Sequence, residues 1–307
     1  MTASGHQTAA KTITVHGPSE ELVRTLSGQK KEPEWMLAHR LHSLQIFQRK
    51  QLPAWGPDLS GLPLSDITYY ADPGIPETDD WGAIPPHVRR IYERLGIPEA
   101  ERKVLAGVGA QYESEVIYHR LKEEWKKQGV IFLNMDEAVQ QYPELVRPYF
   151  MQCVPSTDHL FAALHGAVWS GGTFLYVPEG ITVTEPLQAY FRMNANAMGQ
   201  FEHTLIVVEE GANVQYIEGC SAPKFGRYRL HAGCVEIFVK AGARMRYSSV
   251  ENWSRDTYNL NTKRALVDRE ATIEWVGGNL GSGVTMLYPC SVLRGEGARA
   301  DHLGLAV

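Results

Sequence analysis

Cysteine is scarce in this chain. Its 307 residues hold four thiols, Cys153, Cys220, Cys234 and Cys290, and no two stand as CxxC. That argues against a disulfide framework and against a closed zinc or ferredoxin-type site within the chain, so four reduced thiols are expected. The sequon Asn252-Trp253-Ser254 then carries no glycosylation signal. Long apolar runs are missing as well, since none approaches the ~18 residues of a membrane helix. Met1 to Ala10 lacks the charged start and apolar segment of an export signal. A soluble, cytoplasmic protein is the expectation. Nor does either charge dominate: 30 basic residues face 35 acidic ones, for a net charge of −5 shared by both halves. No basic block suggests a nucleic-acid face, and no acidic tail suggests disorder. GxxxxGK[ST], HExxH, GxSxG and a GxGxxG between strand and helix are all absent.

What is present suffices for a full core. Hydrophobic residues make up 44% of the chain, and chains of this length bury roughly 75% of their unfolded surface. The two halves differ in texture. Residues 1–150 read as a helix-rich domain punctuated by proline. Leu37, Leu41 and Leu44 form one apolar stripe, broken by Pro53-Ala54-Trp55-Gly56-Pro57-Asp58. Ile117, Leu121 and Trp125 suggest a second helical stripe, with Glu123 and Lys127 paired and Gly129 ending it. Val130 to Leu133 reads as a short buried strand. Asp136 and Glu137 suit the start of a further helix that ends before Pro143. Residues 71–86, with four prolines and several acids, read as a surface loop.

Residues 151–307 read as a β-helix core domain. Short alternating runs appear at Val214/Tyr216, Val235/Ile237/Val239 and Ile273/Trp275. Val208 to Tyr216 matches Val239 to Tyr247 position by position. Val267 to Trp275, Leu293 to Ala298 and Val177 to Val183 share the frame. Anchors at 181, 212, 243, 271 and 298 give spacings of 31, 31, 28 and 27 residues. A period near 30 is short for a four-stranded propeller blade, so a stacked β-helix fits better. A β-sandwich whose turns share Gly-Ala is the competing reading. The last copy ends in an apolar strand, His302 to Val307, with no polar cap. The chain is therefore expected to be truncated, or to finish by packing on another chain.

Cys220, in Glu218-Gly219-Cys220-Ser221-Ala222-Pro223, is the most suggestive thiol because a strand ends there in a turn, within reach of solvent. Chemistry at this thiol needs a cation to lower its pKa. Arg227, Arg229, His231 and Lys263 are candidates, set against a buried cysteine that only packs. Cys234 and Cys290 read as packing residues. Arg192 and Asn194 share a face, as do Gln200 and Glu202. A polar lumen would need a functional reason, so the solvated outer face is the favoured reading for these four. Trp253 lines a passage or stacks between coils. The glycine-rich run Gly277 to Gly283 reads as a solenoid corner rather than a phosphate cradle, since no helix follows it.

These residues carry a dense resemblance to the SufB family, the scaffold subunit of SUF iron–sulfur cluster assembly. Glu34-Trp35-Met36-Leu37, Trp55-Gly56-Pro57-Asp58-Leu59, Val168-Trp169-Ser170-Gly171-Gly172-Thr173-Phe174, Gly219-Cys220-Ser221-Ala222-Pro223 and Asn252-Trp253-Ser254 all match, and the likeness runs from about residue 30 to the end. The resemblance implies an α+β fold, a helical N-terminal part followed by a right-handed parallel β-helix that is incomplete at its C-terminal end. It implies a scaffold rather than a turnover enzyme. Sulfur would arrive as persulfide from a cysteine desulfurase through a carrier protein, with Cys220 as acceptor. Arg192, Asn194, Glu202, Trp253 and Lys263 would line the sulfur route. The implied partners are a SufC-type ABC ATPase, a SufD-type paralogue and apo iron–sulfur proteins. The cargo is an iron–sulfur cluster, and a reduced flavin is a further candidate. Glu251 departs from the family's usual glutamine. Family members run well beyond this length, so the cluster's metal ligands are expected past Val307. Two alternatives stand beside this reading: a SufD-like binding subunit, favoured less because Cys220 is present, and a carbohydrate-active β-helix enzyme, disfavoured by the thiol-centred motif.

Overall fold

Proline punctuates the first half, and helices form between the breaks. The computed structural model describes residues 11–12, 17–94, 104–194, 197–224, 228–287 and 289–307. Helix α1 (Glu20–Gln29) starts where the Ser19 hydroxyl accepts the Leu22 N–H at 3.1 Å. Helix α2 (Glu34–Arg49) begins after Pro33, carries the Leu37/Leu41/Leu44 stripe, and stops before Pro53. A short antiparallel pair joins β1 (Lys11–Thr12) to β2 (Ala71–Asp72). Residues 71–86 are otherwise loop, apart from one tight turn at Trp81–Ala83, and lead into α3 (Pro86–Arg94).

The second stripe is not a helix. Ile117 and Leu121 lie in a hairpin, β3 (Gly107–Tyr112) and β4 (Glu115–Leu121), and only the short α4 (Glu123–Lys127) follows. Val116, Ile117 and Tyr118 are all buried. With both faces covered, the strand shows no alternation, and an i,i+4 coincidence mimics a helix. Glu123 pairs with Lys126 at 2.8 Å rather than with Lys127. Gly129, at φ 82°, ends the turn as expected. After it come β5 (Ile131–Asn134), α5 (Met135–Gln141), α6 (Pro143–Val146) and α7 (Leu160–Val168). Every residue of α7 is buried, as expected of a helix apolar all round. Helix α2 crosses α7 closely, because a Cβ on Gly166 would meet the Ser43 hydroxyl at 2.6 Å.

From residue 172 the chain winds as a parallel β-solenoid with three faces. One face stacks β7 (Leu187–Arg192), β10 (Asn213–Ser221), β13 (Arg244–Trp253), β16 (Thr272–Gly281) and β19 (Arg299–Ala306). The short face stacks β8 (Gly199–Gln200), β11 (Arg229–His231), β14 (Thr257–Asn259) and β17 (Val284–Thr285). The third stacks β6 (Gly172–Val177), β9 (His203–Val208), β12 (Cys234–Val239), β15 (Thr262–Val267) and β18 (Cys290–Leu293). Strand β3 pairs parallel with β7, while β4 and β5 close their edges antiparallel. The parallel registers dispose of the sandwich reading, since sandwich sheets are antiparallel.

The repeat is the corner. Gly180, Gly211, Gly242 and Gly297 have φ between 66° and 71°, and Glu270 fills the same place at 56°. In chain order the first four corners donate their N–H to the next corner's carbonyl, as Gly211 does to Ala241 at 3.0 Å and Gly242 to Arg269 at 2.9 Å. The following alanines, Ala212, Ala243 and Ala271, turn into the core. Glycine is favoured because the left-handed region costs other residues roughly 1–2 kcal/mol. The run Gly277 to Gly283 ends β16 at another corner, with Gly281 at φ 77°.

Candidate functional site in the solenoid lumen

Along β10 the inward residues are Val214, Tyr216, Glu218 and Cys220, so the lumen changes from apolar to polar within one strand. Next to it in parallel register, Tyr216 faces Tyr247 and Cys220 faces Glu251. The corner-side half is filled by Val208, Val214, Ile237, Val239, Met245 and Ile273. Its far half, toward the short face, gathers Glu202, Glu218, Cys220, His231, Glu251, Asn259 and Lys263, all 3% exposed or less. The solvated-face expectation therefore fails for Gln200 and Glu202, which are 1% and 2% exposed.

Buried charges on this scale persist only when paired and hydrogen-bonded. Glu251 is fully engaged: Lys263 Nζ donates to Oε1 at 2.7 Å, while Trp253 Nε1 and Asn259 Nδ2 donate to Oε2 at 3.1 and 2.6 Å. Against the cost of burial, Lys263 and His231 hold its carboxyl down at about 2. Lys263 is raised in turn, despite burial, by Glu251 and then Glu218. Asn259 spends its amide on Glu251, so its Oδ1 accepts from His231 Nδ1 at 2.8 Å. The other imidazole nitrogen, Nε2, donates to Glu202. Both nitrogens donate, so His231 is an imidazolium. Its pKa rises to about 9, because Glu202 outweighs the cost of burial. The Trp253 ring lies 4.5 Å from it, centroid to centroid.

Three carboxylates now face two cations. Burial outweighs the help of Lys263 at Glu218 and pushes that carboxyl up. Glu218 Oε1 is 3.7 Å from both Cys220 Sγ and Lys263 Nζ, and Oε2 accepts from the Thr204 hydroxyl at 3.3 Å. Cys220 itself is 3% exposed, which corrects the expectation of a reachable thiol at a turn. Burial pushes it well above the usual thiol range, and Glu218, Glu251 and Glu202 add to the effect. Lys263 opposes them and does not prevail. Donor atoms of Glu202, Cys220 and His231 lie within 4.8 Å of one another. That spacing leaves no room between them for the tricyclic ring of a flavin.

Glu202, Cys220, Trp253 and Lys263 thus meet in the lumen. Arg192 and Asn194 do not join them. Both are half-buried, with Arg192 on the side of β7 opposite the inward Phe191. Arg192 Nη1 donates to the Ser221 hydroxyl at 3.0 Å, and Asn194 Nδ2 donates to the Tyr112 hydroxyl at 2.9 Å. Arg229 holds the loop after Cys220 through the Pro223 carbonyl. Arg227 lies outside the described residues. Cys234 is buried under the helical layer, whereas Cys290 is exposed, which corrects the packing expectation for Cys290. Glu218, Asn259 and Thr204 were not singled out from the sequence. Glu218 carried a signal, since it sits two residues before Cys220 and shares its face.

Two family models match this chain. One, described as the SufBD protein N-terminal region, covers residues 109–189; the other, SUF system FeS cluster assembly, SufBD core domain, covers 191–307. The chain belongs to the SufBD family. Among its relatives are iron–sulfur cluster assembly SufBD family proteins of Staphylococcus aureus strains MRSA252 and USA300, each 51% identical over 94% of this chain. A Staphylococcus saprophyticus protein of the same description is 50% identical over the same share. The chain spans 62% of the length of these SufBD relatives. No helix among the described residues is long and apolar enough to cross a membrane.

The charge assignment within this SufBD lumen makes a pH prediction. His231 has a folded pKa of about 9 against an ordinary 6.5. Its contribution is present in full below pH 6.5 and is lost as pH rises through 9, a change of about 3 kcal/mol. Urea unfolding between pH 6 and 9.5 is expected to show that loss, and His231→Gln to flatten it. Equal slopes in both proteins would remove the imidazolium assignment.

Proposed function

We propose that this chain is the sulfur-receiving part of an iron–sulfur cluster scaffold of the SufB kind, with Cys220 as acceptor. The observation that carries the reading is a lumen-facing thiol that donates to Glu218, which is in turn beside Lys263. In the proposed step the Cys220 proton passes to the Glu218 carboxylate. The thiolate attacks the outer sulfur of a carrier persulfide, one S–S bond forms as another breaks, and the carrier leaves as a thiolate. No net oxidation occurs. Lys263 offsets the charge while it sits on sulfur, and a thiol held this high stays protonated until a donor arrives. Trp253 and Glu202 border the same space and would line the route, whereas Arg192 and Asn194 lie on the other face of β7 and would take no part inside the lumen. The chain would act as a scaffold beside a desulfurase with its carrier, a SufC-type ATPase and a SufD-type paralogue, with the cluster passing to apo-proteins. Turnover of ATP would belong to the partner.

One observation favours a second reading, a SufD-like binding subunit: burial keeps the thiol protonated. A persulfide trap separates the two. The chain is incubated anaerobically with desulfurase, carrier and free cysteine, then read by intact mass and peptide mapping. One sulfur on Cys220, lost in Cys220→Ala and slowed in Glu218→Gln, is the expected result. A folded chain that takes sulfur only at the exposed Cys290, or not at all, would overturn the acceptor role.

A further inference from the structure

A second group of ligand-type side chains lies outside the lumen, between the outer face of the β6–β9–β12 sheet and the helical layer. His203 opens β9 and Cys234 opens β12, opposite each other in parallel register. His165 comes down onto them from α7. All three are 1% exposed or less, and Phe150 and Trp169 wall them in, with ring centroids 4.4 and 5.8 Å from that of His203.

The hydrogen-bond accounting at this pair is incomplete. His165 Nδ1 lies 3.0 Å from the Ala232 carbonyl, which can only accept, so that nitrogen carries the proton. A bare His165 Nε2 then points at His203 Nδ1, 2.9 Å away. His203 must donate from Nδ1, which leaves its Nε2 bare. That Nε2 is buried and has no hydrogen-bond partner among the described residues, although Glu236 Oε2 is 3.2 Å away. Two acceptors therefore face each other across 3.2 Å whenever Glu236 is ionised, and burial pushes that carboxyl up to about 8.

We propose that His165, His203 and Cys234 bind a divalent transition metal, zinc above all, at a site separate from the lumen. Their ligand atoms already lie within 4.8 Å of one another, where tetrahedral zinc needs bond lengths of about 2.0–2.1 Å to nitrogen and 2.3 Å to sulfur. Two imidazoles and a thiolate suit zinc better than magnesium or calcium. Binding moves the His203 proton from Nδ1 to Nε2, where it faces the Glu236 carboxylate, and frees Nδ1 for the metal. The Cys234 thiol gives up its proton to solvent as the metal–sulfur bond forms, with no change of oxidation state. His165 keeps its outer bond to Ala232. Each imidazole then has the backbone or carboxylate partner that orients metal-bound histidines. The metal pins α7 to the solenoid, and with every ligand buried it enters as the chain folds.

The test is metal content of the full chain, produced with zinc and dialysed. One equivalent of zinc is expected, kept by Cys220→Ala and lost by His203→Gln, with circular dichroism reporting the fold. Refolding the unsubstituted chain with cobalt(II) gives a readout that needs no variant to fold. A thiolate-to-cobalt absorption band is expected, present in Cys220→Ala and absent in Cys234→Ser. A folded chain with neither stoichiometric zinc nor that band would overturn the proposal. So would a band that follows Cys220 rather than Cys234.

Discussion

Replacing Lys263 with methionine is expected to lower the unfolding free energy by about 3–5 kcal/mol, the cost of orphaning a buried ion-pair partner. Lys263 is the cation on which two lumen carboxylates rely, at 2.7 Å from Glu251 and 3.7 Å from Glu218. Without it Glu251 keeps the neutral donors Trp253 and Asn259, with His231 as the remaining nearby cation. Glu251→Gln, by contrast, leaves Lys263 with Glu218 as its counterion. The amide offers one acceptor where the carboxylate uses two, so a cost of about 1–2 kcal/mol is expected. The double variant is expected to be more stable than Lys263→Met alone, since a neutral amide at 251 leaves no unpaired carboxylate charge beside the methionine. Urea unfolding of all four proteins closes the cycle. A Lys263→Met chain within about 1 kcal/mol of the parent would mean that the lumen pair is not the charge balance described above.

The corner explains why so much of the fold was legible. A left-handed residue followed by a core-facing apolar one is a local requirement, repeated wherever the chain turns; it is written as Gly-Ala at 211–212, 242–243 and 297–298 and as Gly-Ile at 180–181. Glu270 shows that the frame survives without glycine, because its corner has the same φ. The hairpin at 107–121 was illegible for the opposite reason. It lies against the helices on one face and the solenoid on the other, so burial erases the period-two signal. The same loss of contrast hid the lumen. On β9, His203, Leu205 and Val207 pack under the helical layer while Thr204, Ile206 and Val208 turn inward, and all six are buried.

Which residues carry chemistry was readable only in part. Cys220, Glu202, Trp253 and Lys263 stand on three different strands and one corner, and only the coil offset of 28 to 31 residues superimposes them. Residue type gave no hint that His231 is charged while His203 is neutral. The difference lies in the partners: His231 has Glu202 and Asn259 on its two nitrogens, whereas burial draws His203 down to about 3 with Arg40 adding to the effect. Arg192 and Asn194 share strand spacing with lumen residues, but the face of β7 that they occupy is set by the inward Phe191 and Met193. Parity along a strand fixes such assignments once a single inward residue is known.

Glu236 carries the other large effect. It points away from the lumen into the helical layer, where Oε2 accepts the Met151 N–H at 2.6 Å and Oε1 accepts those of Cys153 and Val154 at 2.6 and 2.7 Å. These donors belong to the irregular link between α6 and α7, and Met151 is held there at φ 53°, a left-handed conformation in a residue with a side chain. One carboxylate thus satisfies three buried amides that no helix or sheet serves. Glu236→Ala is expected to cost about 3–6 kcal/mol, because each buried amide left without an acceptor costs about 1–3 kcal/mol and some will find water. Glu236→Gln should fall between, since its amide group turns a donor toward the Met151 N–H. Denaturation gives the magnitude, and hydrogen exchange at Met151, Cys153 and Val154 locates it. If Glu236→Ala leaves those three amides as protected as before, another acceptor serves them and the carboxylate does not hold the link. If protection is lost there while the strands keep theirs, the helical layer is fastened to the solenoid through this one side chain.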